Sequence, residues 1–211
     1  MTREEFCNEW SKLHGGAAVT GVVRGWLNIS YLISRPLARL SPNLVTLAAF
    51  APAILYLYFI HTPLAIIFLA LSLLFDGIDG TIAILGGRIT KFGGALDAVV
   101  DRVIEALWAI GLVQLGAPFA LVIAAWLLSY LQEYARARGM GLGVSDVGVV
   151  TIAERPVRAT IIFIALVAIS LGLVSQKIGA TAAASIWCGM QAIALFTVLR
   201  FLRSHLRRSQ R

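Results

Sequence analysis

Long uncharged stretches alternate with short polar connections along this chain. The uncharged runs cover residues 41–75, 106–132, 159–176 and 178–199. The first is interrupted at His61-Thr62-Pro63 and the second at Gly116-Ala117-Pro118. Because a helix needs about 20 mostly apolar residues to cross a bilayer, this pattern predicts an all-α membrane protein with six spans.

The predicted spans divide the chain into three regions. The spans themselves are expected at residues 42–60, 63–84, 94–113, 118–138, 157–175 and 179–200. A juxtamembrane segment, 1–40, precedes the six-span domain, 41–203, and a basic tail, 204–211, follows it. The composition, 59% hydrophobic with a mean hydropathy of +0.84, excludes an ordinary water-soluble domain.

An amphipathic helix is predicted between residues 19 and 40. Its apolar positions are Val22, Trp26, Ile29, Ile33, Leu37 and Leu40. Because three arginines lie between these positions, we expect the helix to lie in the membrane interface before the first span. Pro36 is expected to bend or end this helix.

The distribution of basic residues predicts which side of the membrane the termini and connections occupy. With six spans and both termini on one side, Lys177 is the only one of the 18 Lys and Arg on the opposite side. The positive-inside rule makes the basic side cytoplasmic. The net charge of +7 then reflects topology and attraction to anionic lipid, and we expect no nucleic-acid partner. The sequence therefore predicts an integral protein of the cell membrane with cytoplasmic termini.

Four aspartates lie near the cytoplasmic ends of two predicted spans. Asp76 and Asp79 end the second span, and Asp97 and Asp101 begin the third. These spacings put each pair on one helix face, and the short connection 85–92 makes the two helix ends neighbours. Carboxylates near lipid persist mainly where they bind ions or substrates. An all-oxygen site at the cytoplasmic surface suits a hard cation such as Mg²⁺.

The aspartate motif resembles the signature of the CDP-alcohol phosphatidyltransferase family, D-x-x-D-G-x-x-A-R-x8-G-x3-D-x3-D. This chain reads Asp76-x-x-Asp79-Gly80-x-x-Ala83-Ile84, then eight residues, Gly93, Asp97 and Asp101. Every fixed position matches except Ile84, where the family has arginine. The six spans, the cytoplasmic termini and the preceding interfacial helix also fit this family.

The resemblance implies roles for the motif residues. Asp76, Asp79, Asp97 and Asp101 would hold two Mg²⁺ or Mn²⁺ ions, and Asp101 would also take the acceptor proton. The residues that would bind the CDP group are Asn43, Thr46, Gly80, Ala83, Arg88 and Gly93. Arg88 is offered as the replacement for the arginine lost at Ile84, provided that the second helix continues that far. The role of Asn43 stays open, because helix capping alone explains Ser41 and Pro42.

Enzymes of this family transfer a phosphatidyl group in phospholipid biosynthesis. An acceptor hydroxyl attacks a CDP-linked lipid, often CDP-diacylglycerol, and CMP leaves. The resemblance also implies a homodimer.

Two arginine-containing motifs bear on the identity of the acceptor. Tyr-x-Arg-Ala-Arg and Glu-Arg-x-x-Arg resemble the branch that uses inositol phosphate. They supply Arg136, Arg138, Arg155 and Arg158 as acceptor-binding candidates. A small phosphorylated polyol is therefore expected as the acceptor. Glycerol 3-phosphate meets the same electrostatic demand, and positive-inside anchoring is the alternative for each arginine.

Other interpretations stay open at this point. A degenerate family member would bind CDP-lipid without turnover, as Ile84 suggests. An intramembrane prenyltransferase also uses aspartate-rich motifs, but it resembles N-D-x-x-D, where this chain has Phe75. A divalent-cation transporter would want polar residues along several spans. The aspartates could also form a structural ion-pair network with Arg88, Lys91 and Arg102.

Overall fold

The computed structural model describes residues 1–13, 18–144 and 151–208. These ranges form nine α-helices and contain no β-strand, which confirms the all-α prediction. The helices are α1 (Arg3–Leu13), α2 (Gly21–Leu37), α3 (Pro42–Ala48), α4 (Phe50–Tyr58), α5 (Leu64–Leu85), α6 (Lys91–Gln114), α7 (Phe119–Gly141), α8 (Arg155–Ser170) and α9 (Gln176–Arg208).

Every predicted span coincides with helical structure. The first corresponds to α3 with α4, and the other five correspond to α5 through α9. Among the described residues, α5 and α9 are long and apolar enough to cross a membrane. The pair Val23–Leu37 and Pro42–Tyr58, bent by 110°, is a third candidate. The exact number of six spans and the interfacial position of α2 stay predictions.

Helix α1 was not anticipated from the sequence. The Thr2 N–H donates to Glu5 Oε2 at 2.7 Å, and the Glu5 N–H donates to Thr2 Oγ1 at 3.3 Å. This reciprocal pair is a capping box, which satisfies two backbone donors at the start of a helix. The Thr-x-x-Glu pattern, with Phe6, Trp10 and Leu13 at helical spacing, is the signal that could have revealed α1.

The helices group into two compact units. The first unit comprises Met1–Ala53 and Leu71–Ile104, and it contains the aspartate motif. The second comprises Ile54–Ala70 and Glu105–Arg211, and it contains the four candidate acceptor arginines.

In the first unit, α2 buries hydroxyl groups and exposes apolar side chains. The Ser30 and Ser34 hydroxyls are fully buried and donate to the carbonyls of Gly77 at 3.3 Å and Ile78 at 3.4 Å. The exposed apolar side chains of α2 are Val23, Trp26, Ile29 and Leu32. The helix ends at Leu37, directly after Pro36, as predicted. Val23, Ile29 and Leu32 suit contact with lipid, whereas the Trp26 ring also packs over Gly77.

In the second unit, buried aromatic residues join the helices. The Trp187 indole N–H donates to Ser129 Oγ at 2.8 Å, and the Tyr56 hydroxyl donates to the Trp108 carbonyl at 3.2 Å. Gly111 makes room for Tyr56, since a Cβ there would lie 2.3 Å from the tyrosine oxygen. Both polar ends of these aromatic side chains thus find partners inside the unit.

Helix α9 extends beyond the last predicted span. It remains helical from Gln176 to Arg208, so residues 204–208 of the predicted basic tail are continuous with it. Residues 209–211 of that tail lie outside the described residues.

Candidate active site

Three of the four predicted aspartates come together in the first unit. Asp76, Asp97 and Asp101 each offer a carboxylate oxygen, and these oxygens all lie within 4.8 Å of one another. Asp76 is on α5, whereas Asp97 and Asp101 are one turn apart on α6. The prediction that the two helix ends are neighbours is therefore confirmed.

The donor set of this cluster fits a divalent metal. Mg²⁺ prefers carboxylate oxygens, and the oxygens around one octahedral ion lie about 3 to 4 Å apart. The three carboxylate oxygens lie within 4.8 Å of one another, so small changes of side-chain torsions bring them into this range. The cluster is also only partly buried, so an ion would have access to it.

Asp79 lies beside this cluster in sequence but has different contacts. Its side chain is 4% exposed. Thr46 Oγ1 donates to Asp79 Oδ2 at 2.5 Å, and the Gly80 N–H donates to Oδ1 at 2.5 Å. Thr46 therefore orients Asp79. The predicted roles of Asp79 in metal binding and of Thr46 in CDP binding stay predictions.

One cavity of about 450 Å³ is lined by three of the four aspartates together with the predicted nucleotide-binding residues. The predicted residues that line it are Asn43, Thr46, Asp76, Asp79, Gly80, Ala83, Arg88, Gly93 and Asp97. Its volume lies within the range of about 300–1,000 Å³ that is usual for small-molecule sites. Apart from Asp101, the residues of the sequence motif thus line a single cavity, and part of this cavity is strongly acidic.

The glycines in and beside the motif differ in what lies next to them. A Cβ at Gly80 would meet open space, so the backbone there is accessible to a ligand. A Cβ at Gly93 would lie 3.2 Å from Asn43 Oδ1. A Cβ at Gly77 would lie 2.2 Å from the Trp26 ring, so Gly77 permits the approach of Trp26 rather than of a ligand.

Arg88 does not extend the helix that carries Asp76. Helix α5 ends at Leu85, and Gly87 has φ +61°, so the helical continuation on which the proposed replacement by Arg88 depended does not occur. The Arg88 guanidinium instead donates to the carbonyls of Ala38, Arg39 at 3.2 Å and Leu40 at 2.7 Å. These carbonyls follow the end of α2, where cationic side chains are favourable.

Ile84, the one departure from the family signature, is buried. Its side chain is 6% exposed and packs in an apolar cluster with Phe6, Leu27 and Tyr31. The site of the family's arginine is therefore occupied by hydrophobic packing that includes the unanticipated helix α1.

Arg102, a member of the predicted ion-pair network, lies near one of the aspartates. Arg102 Nη2 lies 3.9 Å from Asp101 Oδ2, and both side chains are 17% exposed. Arg88 contacts backbone carbonyls, as described above, and Lys91 is exposed. The cluster places three carboxylates within 4.8 Å of one another, and such a concentration of acidic groups favours metal binding.

In the second unit, Arg158 and Arg155 share one buried carboxylate. Glu105 is 0% exposed, and its Oε1 accepts from Arg158 Nε at 3.1 Å and also from Arg158 Nη2. Arg155 Nε lies 3.8 Å from the same oxygen, and its guanidinium carbon lies 5.2 Å from the centre of the Trp108 ring. Sequence analysis did not predict this pairing.

Arg136 forms a two-point contact with Glu154. Its Nη1 and Nη2 donate to the carboxylate at 3.1 Å and 2.6 Å. Thr151 adds donors from its backbone and hydroxyl, both at 2.8 Å. Burial alone would raise the pKa of Glu154, but the hydrogen bonds from Arg136 and Thr151 outweigh burial and hold that pKa below its ordinary value. Arg138, in contrast, is exposed.

Apolar helices, a carboxylate cluster and an adjoining cavity define an integral membrane protein with the features of a metal-assisted transferase. The sequence also matches the profile of the CDP-alcohol phosphatidyltransferase family over residues 39–201. The chain belongs to this family and is a transferase enzyme. This assignment displaces the prenyltransferase and transporter interpretations.

Three relatives are similar to this chain over most of their length. The archaetidylinositol phosphate synthase of Pyrococcus horikoshii is 37% identical, over 63% of this chain and 73% of that protein. The enzyme of the same name from Aeropyrum pernix is 34% identical, over 71% and 79%. The phosphatidylinositol phosphate synthase of Corynebacterium glutamicum is 31% identical, over 78% and 84%.

Solved structures share the fold. The Mycobacterium tuberculosis phosphatidylinositol phosphate synthase with CDP-DAG bound superposes with a TM-score of 0.68, at 23% identity, over 83% of this chain and 94% of that one. The same enzyme in complex with manganese and citrate gives a TM-score of 0.69, over 82% and 88%.

Proposed function

We propose that this enzyme transfers the phosphatidyl group of a CDP-diacylglycerol-type lipid to a hydroxyl of an inositol phosphate and releases CMP. The names of the three relatives share inositol phosphate as the polar part, whereas the lipid part is archaetidyl in two and phosphatidyl in one. This shared part favours inositol phosphate over glycerol 3-phosphate as the acceptor.

The observation that carries the proposal is the carboxylate cluster beside the cavity. A diphosphate needs cations to bind among acidic groups, and the cluster of Asp76, Asp97 and Asp101 offers oxygens for them. The cavity of about 450 Å³ adds room for a nucleotide.

In this mechanism, the aspartates bind metal and move one proton. Asp76, Asp79, Asp97 and Asp101 would hold two Mg²⁺ or Mn²⁺ ions, whose charge stabilises the attacking and leaving oxygens. The acceptor oxygen bonds to the lipid-side phosphorus while its proton passes to Asp101. The bond from that phosphorus to the bridging oxygen breaks, and CMP leaves with the electron pair. A carboxylate is a weak base, so positioning contributes much of the rate.

The CDP group would bind along the remaining cavity residues. Gly80 borders open space, which lets a phosphate or ribose approach the backbone. The Asn43 amide beside Gly93 offers both donor and acceptor groups to a base or sugar. Ala83 lines the same cavity, whereas Arg88, which also lines it, is held by the carbonyls after α2 and is assigned a structural role.

The acceptor phosphate is assigned to the arginines of the second unit. Arg138 is exposed, and we assign direct phosphate contact to this residue. Arg155 is 7% exposed and lies 3.8 Å from Glu105, so its role is closer to that of Arg158. Arg136 and Arg158 are held by Glu154 and Glu105, so they contribute by orienting the segment that carries Arg138.

The proposed arrangement has six membrane spans, with α2 in the interface and with the termini and the active site on the cytoplasmic side of the membrane. Two such chains form a homodimer. The outward apolar face of α2 and the asymmetry of the basic residues support the membrane arrangement. A membrane-impermeant maleimide should label Cys7 in inside-out vesicles and leave it unlabelled in right-side-out vesicles. Labelling of Cys7 in right-side-out vesicles would contradict this topology.

The proposed reaction is tested by CMP release from CDP-diacylglycerol with Mg²⁺ and a panel of acceptors. We expect turnover with myo-inositol phosphate and little with glycerol 3-phosphate, serine or free inositol. CDP-archaeol, supplied in parallel, tests the lipid part of the donor. Lipid binding without CMP release from any acceptor would indicate a degenerate family member instead.

Asp101→Asn should separate chemistry from binding. We expect turnover to fall by roughly 10²–10⁴-fold while CDP-lipid binding is retained. Glu9→Gln, at an exposed acid that pairs only with Lys12 among the described contacts, is the matched control and should behave as wild type. Normal turnover in Asp101→Asn would remove this residue from the mechanism.

A further inference from the structure

Helix α1 is anchored to the first unit by a buried aromatic residue. Phe6 is 0% exposed, and its ring centre lies 5.7 Å from that of Tyr31 on α2. Phe6 also shares an apolar cluster with Ile84 on α5. The Tyr31 hydroxyl donates to the Met1 carbonyl at 2.9 Å, so the start of the chain is attached as well.

The anchored helix contributes to the donor cavity. Trp10 and Leu13 line the cavity that also contains Asp76 and Asp79. Because Trp10 follows Phe6 by four residues and Leu13 follows it by seven, the three share one helix face. The burial of Phe6 therefore determines where Trp10 stands at the cavity.

The polarity of α1 indicates which part of a nucleotide-linked lipid its cavity-lining residues contact. Its other positions include the charged residues Arg3, Glu4, Glu5, Glu9 and Lys12. Such a helix faces water rather than acyl chains, whereas the outward face of α2 is apolar. The base is the part of the donor that combines a planar ring with polar edges, and aromatic side chains stack on bases.

From these observations we infer that α1 forms one wall of the donor site and that Trp10 packs against the cytosine base. The inference rests on the proposed function, which supplies the nucleotide. Trp10 is a binding residue in this arrangement, and Phe6 and Ile84 are positioning residues that act through it. Trp10 and Phe6 lie outside the aspartate signature, and Ile84 stands where that signature has arginine.

Binding of radiolabelled CMP to the purified full chain in detergent with Mg²⁺ tests this inference. Trp10→Ala should weaken CMP binding roughly 5–150-fold, the range for loss of one base–aromatic stack. The same factor is expected for CDP-diacylglycerol, since both ligands carry the base. In turnover assays KM should rise with little change in kcat. Trp10→Phe should retain most of the affinity, and the exposed-site control Lys12→Ala should bind as wild type.

The anchoring role is tested by a double-mutant cycle. Phe6→Ala should weaken CMP binding, because Trp10 loses its fixed position. It should add little in the Trp10→Ala background, since the two residues act through one contact. Additive losses would overturn the positioning role. Should Phe6→Ala fail to fold, Ile84→Ala replaces it in the same cycle.

The outcomes separate this inference from the function on which it rests. CMP binding by Trp10→Ala at wild-type strength would overturn the inference while leaving the proposed function intact. Loss of CDP-diacylglycerol binding with normal CMP binding would also overturn it, because Trp10 would then meet the lipid. A wild-type chain that bound neither ligand and released no CMP would overturn the proposed function, and the inference with it.

Discussion

The buried charges around Glu105 allow a quantitative test of how the second unit is held together. One carboxylate, 0% exposed, accepts from Arg158 and lies 3.8 Å from Arg155. Arg158 is 1% exposed and also donates to the Ala153 carbonyl. Glu105→Gln keeps the shape of the side chain but leaves two guanidinium groups without their shared negative charge.

The expected cost follows from the burial of the charges. Removing one partner of a buried ion pair destabilises a protein by about 3–5 kcal/mol, because the remaining charge is left uncompensated. For a chain of this size, each kcal/mol lowers Tm by about 2–4 °C, so Glu105→Gln should melt roughly 6–20 °C below wild type. Arg158→Met should also destabilise the wild-type chain, since Glu105 and the Ala153 carbonyl lose a donor.

The decisive result is whether Arg158→Met raises or lowers Tm in the Glu105→Gln background. When Glu105 is already neutral, removing Arg158 eliminates one uncompensated buried cation, so the double variant should be more stable than Glu105→Gln alone. Thermal unfolding in detergent, followed by tryptophan fluorescence and by size exclusion after heating, measures all four proteins. If Arg158→Met destabilised both backgrounds, the argument from buried charge would be refuted.

Three further predictions follow from other contacts. Thr46→Val removes the donor that orients Asp79 and should raise the Mg²⁺ concentration for half-maximal CMP release about 10–100-fold, whereas Thr46→Ser should not. Arg88→Ala removes three contacts to carbonyls after α2 and should lower Tm, with donor KM nearly unchanged; a raised KM with wild-type Tm would contradict this structural role. Because the folded pKa of Glu154 is lowered, its pair with Arg136 stabilises the fold above the unfolded pKa of about 4.3, and this contribution is lost as pH falls through the folded pKa. Glu154→Gln should therefore flatten the acid side of a plot of Tm against pH, and an unchanged acid side would contradict the assignment.

The aspartate site could be predicted from sequence because its geometry is mostly local. Spacings of three and four residues fix a helix face, and the short connection 85–92 fixes which helix ends meet. The existence of the helices was predictable for a similar reason, since long apolar runs leave few alternatives to helical structure in a membrane. The fold class and the clustering of Asp76 with Asp97 and Asp101 both followed from these rules.

Contacts between distant residues could not be predicted in the same way. The arginines near residue 155 looked free to bind phosphate, but Arg158 pairs with Glu105, which is 53 residues away. The position of Arg88 depended on whether the helix continued through Gly86-Gly87. It does not, and Arg88 instead contacts carbonyls that follow the end of α2. Helix α1 has a local signal in its capping box, but it lacks the long apolar run that marks the predicted spans.

The substitution at Ile84 has a physical explanation that does not require loss of activity. An arginine there would place a charge among Phe6, Leu27 and Tyr31, and an unpaired buried charge is costly. The same apolar cluster holds α1 against the donor cavity. A chain that uses α1 as a wall therefore needs an apolar residue at this position. Since the four aspartates and both signature glycines are retained, the proposed enclosure of the nucleotide by α1 explains this departure without decay of the catalytic centre.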